Sequence, residues 1–175
     1  MSRRVSQLEW AARLEERPKN IPVGRPRGAK LEGCRYERRV AAALSFAEAG
    51  AWWQFRDRDG PGVCQTDLVI HGMRSNLVLE VKYGWTAEAW EQLEGLYLPV
   101  LALALKKPTI GVQICRVLRD GCDDEVVSCL QEAIDLAKRG RRVTLHWAEA
   151  APLWPRISPG RRTVVGAFGQ SWATP

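Results

Sequence analysis

Apolar positions along this chain recur with two periods. From Leu77 to Tyr83 the run Leu-Val-Leu-Glu-Val-Lys-Tyr reads as a strand carrying one carboxylate and one ammonium. Successive side chains on a strand point to opposite faces. Glu80 and Lys82 therefore share one face, while Leu79, Val81 and Tyr83 share the other, which can be buried. Two more strands are expected upstream, over 52–56 and 64–70, with Asp67 interrupting the second. Turn residues fill 57–62 and 71–76, so the three strands predict an antiparallel meander.

A period near 3.6 marks the helices. Residues 33–49 carry the stripe Tyr36, Val40, Ala43/Leu44 and Ala47, and Gly50 stops the helix. Residues 87–98 follow Thr86 as N-cap and run to Pro99. Residues 125–139 place Val126, Cys129/Leu130, Ala133/Ile134 and Ala137 on one face, with Gly140 as C-cap. The wholly apolar segment 100–105 is expected as a strand buried on both faces. Further strands are expected over 109–117 and 143–147, and a short amphipathic helix over 4–17, ended by Pro18. This order predicts an α/β fold, a mixed β-sheet core flanked by helices. The crossover is expected to run from 77–83 through a helix to 100–105. The expected division is a basic N-terminal helix and arm over 1–32, a domain over 33–150 and an irregular tail over 151–175.

Charge changes this picture in one place. The formal net charge is +6, and residues 1–39 supply all of it, with 11 Lys/Arg against 5 Asp/Glu. A local basic excess suits an anionic partner such as nucleic acid, although a solubilising tail has the same composition. Five cysteines without a CxxC pair, and only two histidines, exclude zinc-site spacing. The odd count, and the lack of an apolar stretch behind Met1-Ser2-Arg3-Arg4-Val5, lead to the expectation of a reduced, cytoplasmic setting, whether prokaryotic or viral. The longest apolar run is too short to cross a bilayer, so no membrane association is expected. No GxxxxGK[ST] occurs, so no nucleotide cofactor is expected.

The carboxylates carry the candidate chemistry. Asp67 and Glu80 fall on neighbouring strands in this reading. Two oxygen ligands converging at a strand edge, with water completing the shell, are what Mg²⁺ requires, and Mn²⁺ substitutes for it. A cation also removes the repulsion between two close acids. The Val81 carbonyl is a further candidate ligand. Lys82 shares the Glu80 face and can reach the same water or a phosphate, to orient or deprotonate the one or offset charge on the other. Glu37 is placed to hold a metal-bound water or a second ion, and Gln92 to bond the water or a phosphate oxygen. Arg25, Arg27, Lys30, Arg35, Arg38 and Arg39 flank Glu37 along the chain and suit phosphate contacts. Taken singly, a Glu-x-Lys pair on a strand is most often a solvent-facing pair, and Glu37 and Gln92 are ordinary helix-surface residues. Trp85 is open to base stacking or to local packing.

The ordered set Gly33-x-x-Tyr36-Glu37, Gln65-Thr66-Asp67-Leu68-Val69-Ile70, Leu79-Glu80-Val81-Lys82 and Gln92-x-x-x-Leu96-Tyr97 resembles the PD-(D/E)xK nuclease superfamily. The likeness is to archaeal and phage-type Holliday junction resolvases and RecB-like nucleases, and it covers about residues 33–115. It implies a restriction-endonuclease-like sheet and Mg²⁺ held by Glu37, Asp67 and Glu80. It also implies catalysis through Lys82 with help from Gln92. A DNA substrate, branched or duplex, and a homodimer presenting two sites to two strands follow from the same likeness. Asp67 is preceded by Gln65-Thr66 where the motif has a proline. Alternatives are a repair or restriction-type nuclease, a non-catalytic nucleic-acid-binding module on the same fold, and an interaction protein using its tryptophans.

Overall fold

The computed structural model describes residues 3–22, 24 and 26–148. Two sheets are present. A three-stranded antiparallel sheet joins β1 (Trp10–Leu14), β3 (Trp52–Asp57) and β4 (Gly60–Gln65), with β3 in the middle. A six-stranded mixed sheet runs β2-β5-β6-β7-β9-β8, built from β2 (Glu48–Ala49), β5 (Leu68–Ile70), β6 (Asn76–Gly84), β7 (Thr109–Val117), β8 (Glu125–Val127) and β9 (Val143–His146). Pairing is antiparallel from β2 to β6 and parallel from β6 to β8. Helix α1 (Ala29–Ala43) precedes the acidic strands. Helices α2 (Ala87–Gln92) and α3 (Leu98–Leu105), joined by a π-helical turn (Leu93–Tyr97), link β6 to β7, and α4 (Leu130–Lys138) precedes β9.

Both faces of the large sheet are covered, as a β6 buried along most of its length requires. On one face Leu77, Leu79 and Val81 pack with Tyr36, Val40 and Leu44 of α1 and with Leu130 and Ile134 of α4. On the other, Val69 and Val78 meet Trp90, Leu93, Leu96, Val100 and Leu101, together with Trp53 and Phe55 from the inner face of the small sheet. Glu80 is thus a carboxylate inside a two-sided core, 1% exposed.

The mixed sheet flanked by helices agrees with expectation, but several elements do not. The expected helix over 4–17 is absent, and 10–14 form a strand on the edge of β3. Helix propensity there is a weak preference, and the open backbone edge of β3 outweighs it. The expected meander is split, because 64–70 divides after Gln65 and continues as β5 in the other sheet. Helix α1 starts at Ala29 and ends at Ala43, and Glu48–Ala49 pair with β5 instead of extending it. Of the expected helix over 125–139, the first three residues form β8, as β-branched Val126 and Val127 suit.

The segment 100–105 is helical, not a strand, and the crossover from β6 ends at β7. Pro99 does not terminate the helix. A proline inside a helix leaves the carbonyl four residues back without its donor and crowds it with the ring. That carbonyl belongs to Gly95, inside the π-helical turn, and it accepts the Val5 N–H at 2.8 Å. A wider turn and a donor from the chain's N-terminal segment together carry the helix through Pro99. The tail over 151–175 lies outside the described residues.

Candidate functional site

Register brings the two central acids together. Leu68 pairs with Leu79 in the antiparallel β5–β6 ladder, so Asp67, one residue earlier, stands opposite Glu80. The Asp67 Oδ2 accepts the Val81 N–H at 2.7 Å, which extends the ladder through a side chain. The N–H and C=O of one strand residue point to the same side, so the Val81 carbonyl also faces Asp67. The approach to Asp67 is fixed locally. Gly50, at φ +66°, donates its N–H to the Asp67 carbonyl at 2.9 Å. A side chain at Gly50 would be strained by that φ and would meet the Gln65 amide. Thr66 is buried, with its hydroxyl receiving the Trp53 indole N–H at 3.2 Å.

Lys82 lies on the Glu80 face, as the spacing predicts, and its ammonium is paired with Glu80 Oε1. The other oxygen, Glu80 Oε2, is buried with no donor facing it, and the Asp67 carboxylate lies within side-chain hydrogen-bonding reach of Glu80, ready to accept its proton when Glu80 is neutral. Burial first, and Asp67 second, push the Glu80 carboxyl up to about 8, against the pull of Lys82. Burial likewise raises Asp67, although the Val81 N–H and Lys82 oppose it. Burial, then Asp67, raise Glu37 from α1. Lys82 moves the other way from what burial alone would do. Its surroundings are acidic enough, Glu80 foremost, to raise it, so it remains an ammonium at neutral pH. A charged amine serves as a donor and counter-charge rather than as a base for water.

Glu37, Asp67 and Glu80 against Lys82 leave two uncompensated negative charges when all are ionised. A divalent cation has the complementary charge, and the orphaned Glu80 Oε2 offers it a hard oxygen. The residues present therefore fit Mg²⁺ through Asp67, Glu80 and the Val81 carbonyl, with water supplying the remaining ligands. Among the described residues no three His, Cys, Asp or Glu side chains already form a cage. Glu37 acts on the site through charge.

The other expected residues are placed as follows. Gln92 ends α2, and its Oε1 is buried without a partner. Arg27, Lys30, Arg35, Arg38 and Arg39 are exposed on α1 and the loop before it. Arg35 is paired with Glu32 at 2.6 Å, Arg39 lies over the Tyr36 ring, and Arg38 helps hold Glu37 ionised. Arg25 lies outside the described residues. Trp85 packs: its indole and that of Trp90 both donate to Asp124 Oδ2 at 2.8 Å, beside the Thr144 hydroxyl.

Two residues near the acids carry no sequence signal of their own. Gln113 of β7 pairs in register with Glu80, is fully buried, and has both amide atoms unpartnered. Tyr97, from the π-helical turn, has its hydroxyl raised by burial and by Glu80 and Asp67. Only the strand register and the helix course reveal them. Glu80 and Gln113, paired in register, both carry buried polar atoms without partners, and such groups ordinarily hold water or a ligand. No protein-family model, curated protein or solved structure matches the chain. No helix among the described residues is long and apolar enough to cross a membrane.

Proposed function

We propose that this chain is a Mg²⁺-dependent deoxyribonuclease of the PD-(D/E)xK kind, with a restriction-endonuclease-like sheet, that hydrolyses phosphodiester bonds in branched or duplex DNA. The observation that carries the reading is Asp67 facing Glu80 across one rung, with Lys82 paired to Glu80 and one Glu80 oxygen left open. Two carboxylates facing each other with a single ammonium beside them leave negative charge that a divalent cation offsets.

Mg²⁺, when bound, supplies Lewis-acid stabilisation of the charge that builds on the phosphate. The chain supplies the rest. Asp67 and Glu80 fix the position of that charge centre on a rigid ladder. Lys82, held as an ammonium, donates to a phosphate oxygen and offsets its charge in a site of low polarity. Glu37 accepts a hydrogen bond from the attacking water in this reading, and Gln92 orients it. Arg27, Lys30, Arg38 and Arg39 give the approach a positive potential, so binding should weaken as salt rises. Two copies acting on two strands of a junction remain part of the proposal, and light scattering measures their association.

The test is incubation of the purified protein with labelled four-way junction, fork, duplex and single-stranded DNA, in Mg²⁺, Mn²⁺ or EDTA. Cleavage is expected with either metal and not with EDTA. Asp67→Ala and Lys82→Ala should each lose about 10²-fold or more in rate while still binding. Binding without cleavage of any substrate by the wild type would sink the enzyme and leave a nucleic-acid-binding module. Absence of any binding would favour an interaction protein.

A further inference from the structure

The small sheet has one face buried and one face open. Its inner face sends Trp53 and Phe55 into the core. Alternation sends the neighbouring positions outward, and Trp10 is 41% exposed and Val63 40% exposed, with Trp52 half-buried. Register sets these residues on one surface. Trp10 pairs with Arg56 and Leu14 with Trp52, so the two indoles occupy opposite ends of the β1–β3 ladder. They are four rungs apart, roughly 13 Å along the strand direction. The Arg17 guanidinium lies 5.7 Å from the centre of the Trp52 ring and is steadied by the carbonyls of Ile21 at 3.0 Å and Pro22 at 2.7 Å. Arg56 is exposed beside Trp10. No outward position on the three strands is a carboxylate.

We propose that this face binds unpaired nucleotides, with bases stacking on Trp10 and on the Trp52–Arg17 pair, and Arg56 meeting phosphate. Flat aromatic rings interleaved with arginines bind single strands in a sequence-tolerant way, because every base has a stackable face. A duplex keeps its bases stacked inside and offers such a surface little. A lipid surface would want a continuous apolar patch, but Gln54 and Arg56 interrupt this one. The platform adjoins Asp67 along the chain. Pro61, Val63 and Gln65 are exposed in alternation along β4; the chain then leaves this sheet and bends at Asp67, which is partly exposed. A strand held at the Gln65 end of β4 meets the chain two residues before Asp67. That the strand so held is the one cut rests on the nuclease reading; the stacking surface does not.

The experiment measures binding of the full chain in EDTA, by fluorescence polarisation, to a labelled single-stranded oligonucleotide, to the matching blunt duplex, and to that duplex with an unpaired flap. The wild type should prefer the first and third. Trp10→Ala and Trp52→Ala should each weaken single-strand and flap binding about 5-fold or more, with Trp10→Tyr recovering most of the loss. Arg56→Ala should lower the salt dependence of single-strand binding. Thermal unfolding of each variant separates lost contacts from lost fold, and the exposed Trp10 is the safer site. Equal affinity of wild type and Trp10→Tyr and Trp10→Ala for single strands would overturn the proposal, as would blunt duplex bound as well as the flap. So would a wild type that binds no single strand, or self-association lost in Trp10→Ala with no effect of DNA. Cleavage in Mg²⁺ by a wild type whose binding ignores Trp10 would leave the nuclease and remove the platform. Tryptophan-dependent binding without cleavage would do the reverse.

Discussion

Replacing Glu80 by Gln should make the metal-free protein more stable in mild alkali. The Glu80 side chain is 1% exposed, has Asp67 opposite, and has one oxygen without a partner, while only Lys82 offsets its charge. The folded chain therefore keeps a proton that the unfolded chain has already released. Between the ordinary glutamate value of 4.5 and the folded value of about 8, the native state binds more protons. Stability must then fall as pH rises through that window, with the penalty complete above it. Each pH unit by which the folded site keeps its proton longer is worth about 1.4 kcal/mol. Lys82 is held charged by the same carboxylates, so the retained proton belongs to the acid pair. In EDTA, Glu80→Gln should match the wild type near pH 5 and exceed it by about 1–3 kcal/mol at pH 8.5. For a chain of this size that is a gain of roughly 2–10 °C in Tm. Saturating Mn²⁺ should raise the wild-type Tm at pH 8.5 and leave the variant unchanged, because the cation replaces the proton. Thermal unfolding by circular dichroism over pH 5–8.5 reads all of this. A variant no more stable than the wild type at pH 8.5, or one stabilised by Mn²⁺ to the same extent, would refute the reasoning.

Other substitutions test other parts of the account. Gln113→Leu removes two buried amide atoms without partners, so metal-free stability should hold or rise by about 1 kcal/mol while cleavage slows; denaturant melts and single-turnover rates check the two halves. Asp124→Ala strands two indole N–H groups and a hydroxyl, and should cost about 2–4 kcal/mol in a urea titration. Val5→Pro removes the donor to the Gly95 carbonyl and should cost about 1–3 kcal/mol, whereas Val5→Ala, which keeps the donor, should lose less; Tm comparison separates them.

The strand bearing Glu80 and Lys82 was legible because its alternation is local; the same logic expected Asp67 within a neighbouring strand, whereas it falls in the bend just before β5. The helix over 98–105 was not. A continuous apolar run has no period to read, and Pro99 looks like a stop until Val5, far away in sequence, is seen to satisfy the Gly95 carbonyl. β1 was illegible for a related reason, since its residues favour a helix and only the edge of β3 draws them into a ladder. In the candidate site, the acids and Lys82 announce themselves by type and spacing. Gln113 becomes part of it only when parallel pairing sets β7 beside β6, and Tyr97 only when the π-helical turn aims it toward Glu80.

The claim on which the account turns is that Asp67 and Glu80 jointly hold a divalent cation. Anomalous diffraction from a crystal of the protein soaked in Mn²⁺ tests it most directly. The account predicts a single strong peak between the two carboxylates, within ligand distance of the Val81 carbonyl and lost in Asp67→Ala. No peak there at saturating Mn²⁺, with Glu80 still paired only to Lys82, would contradict it.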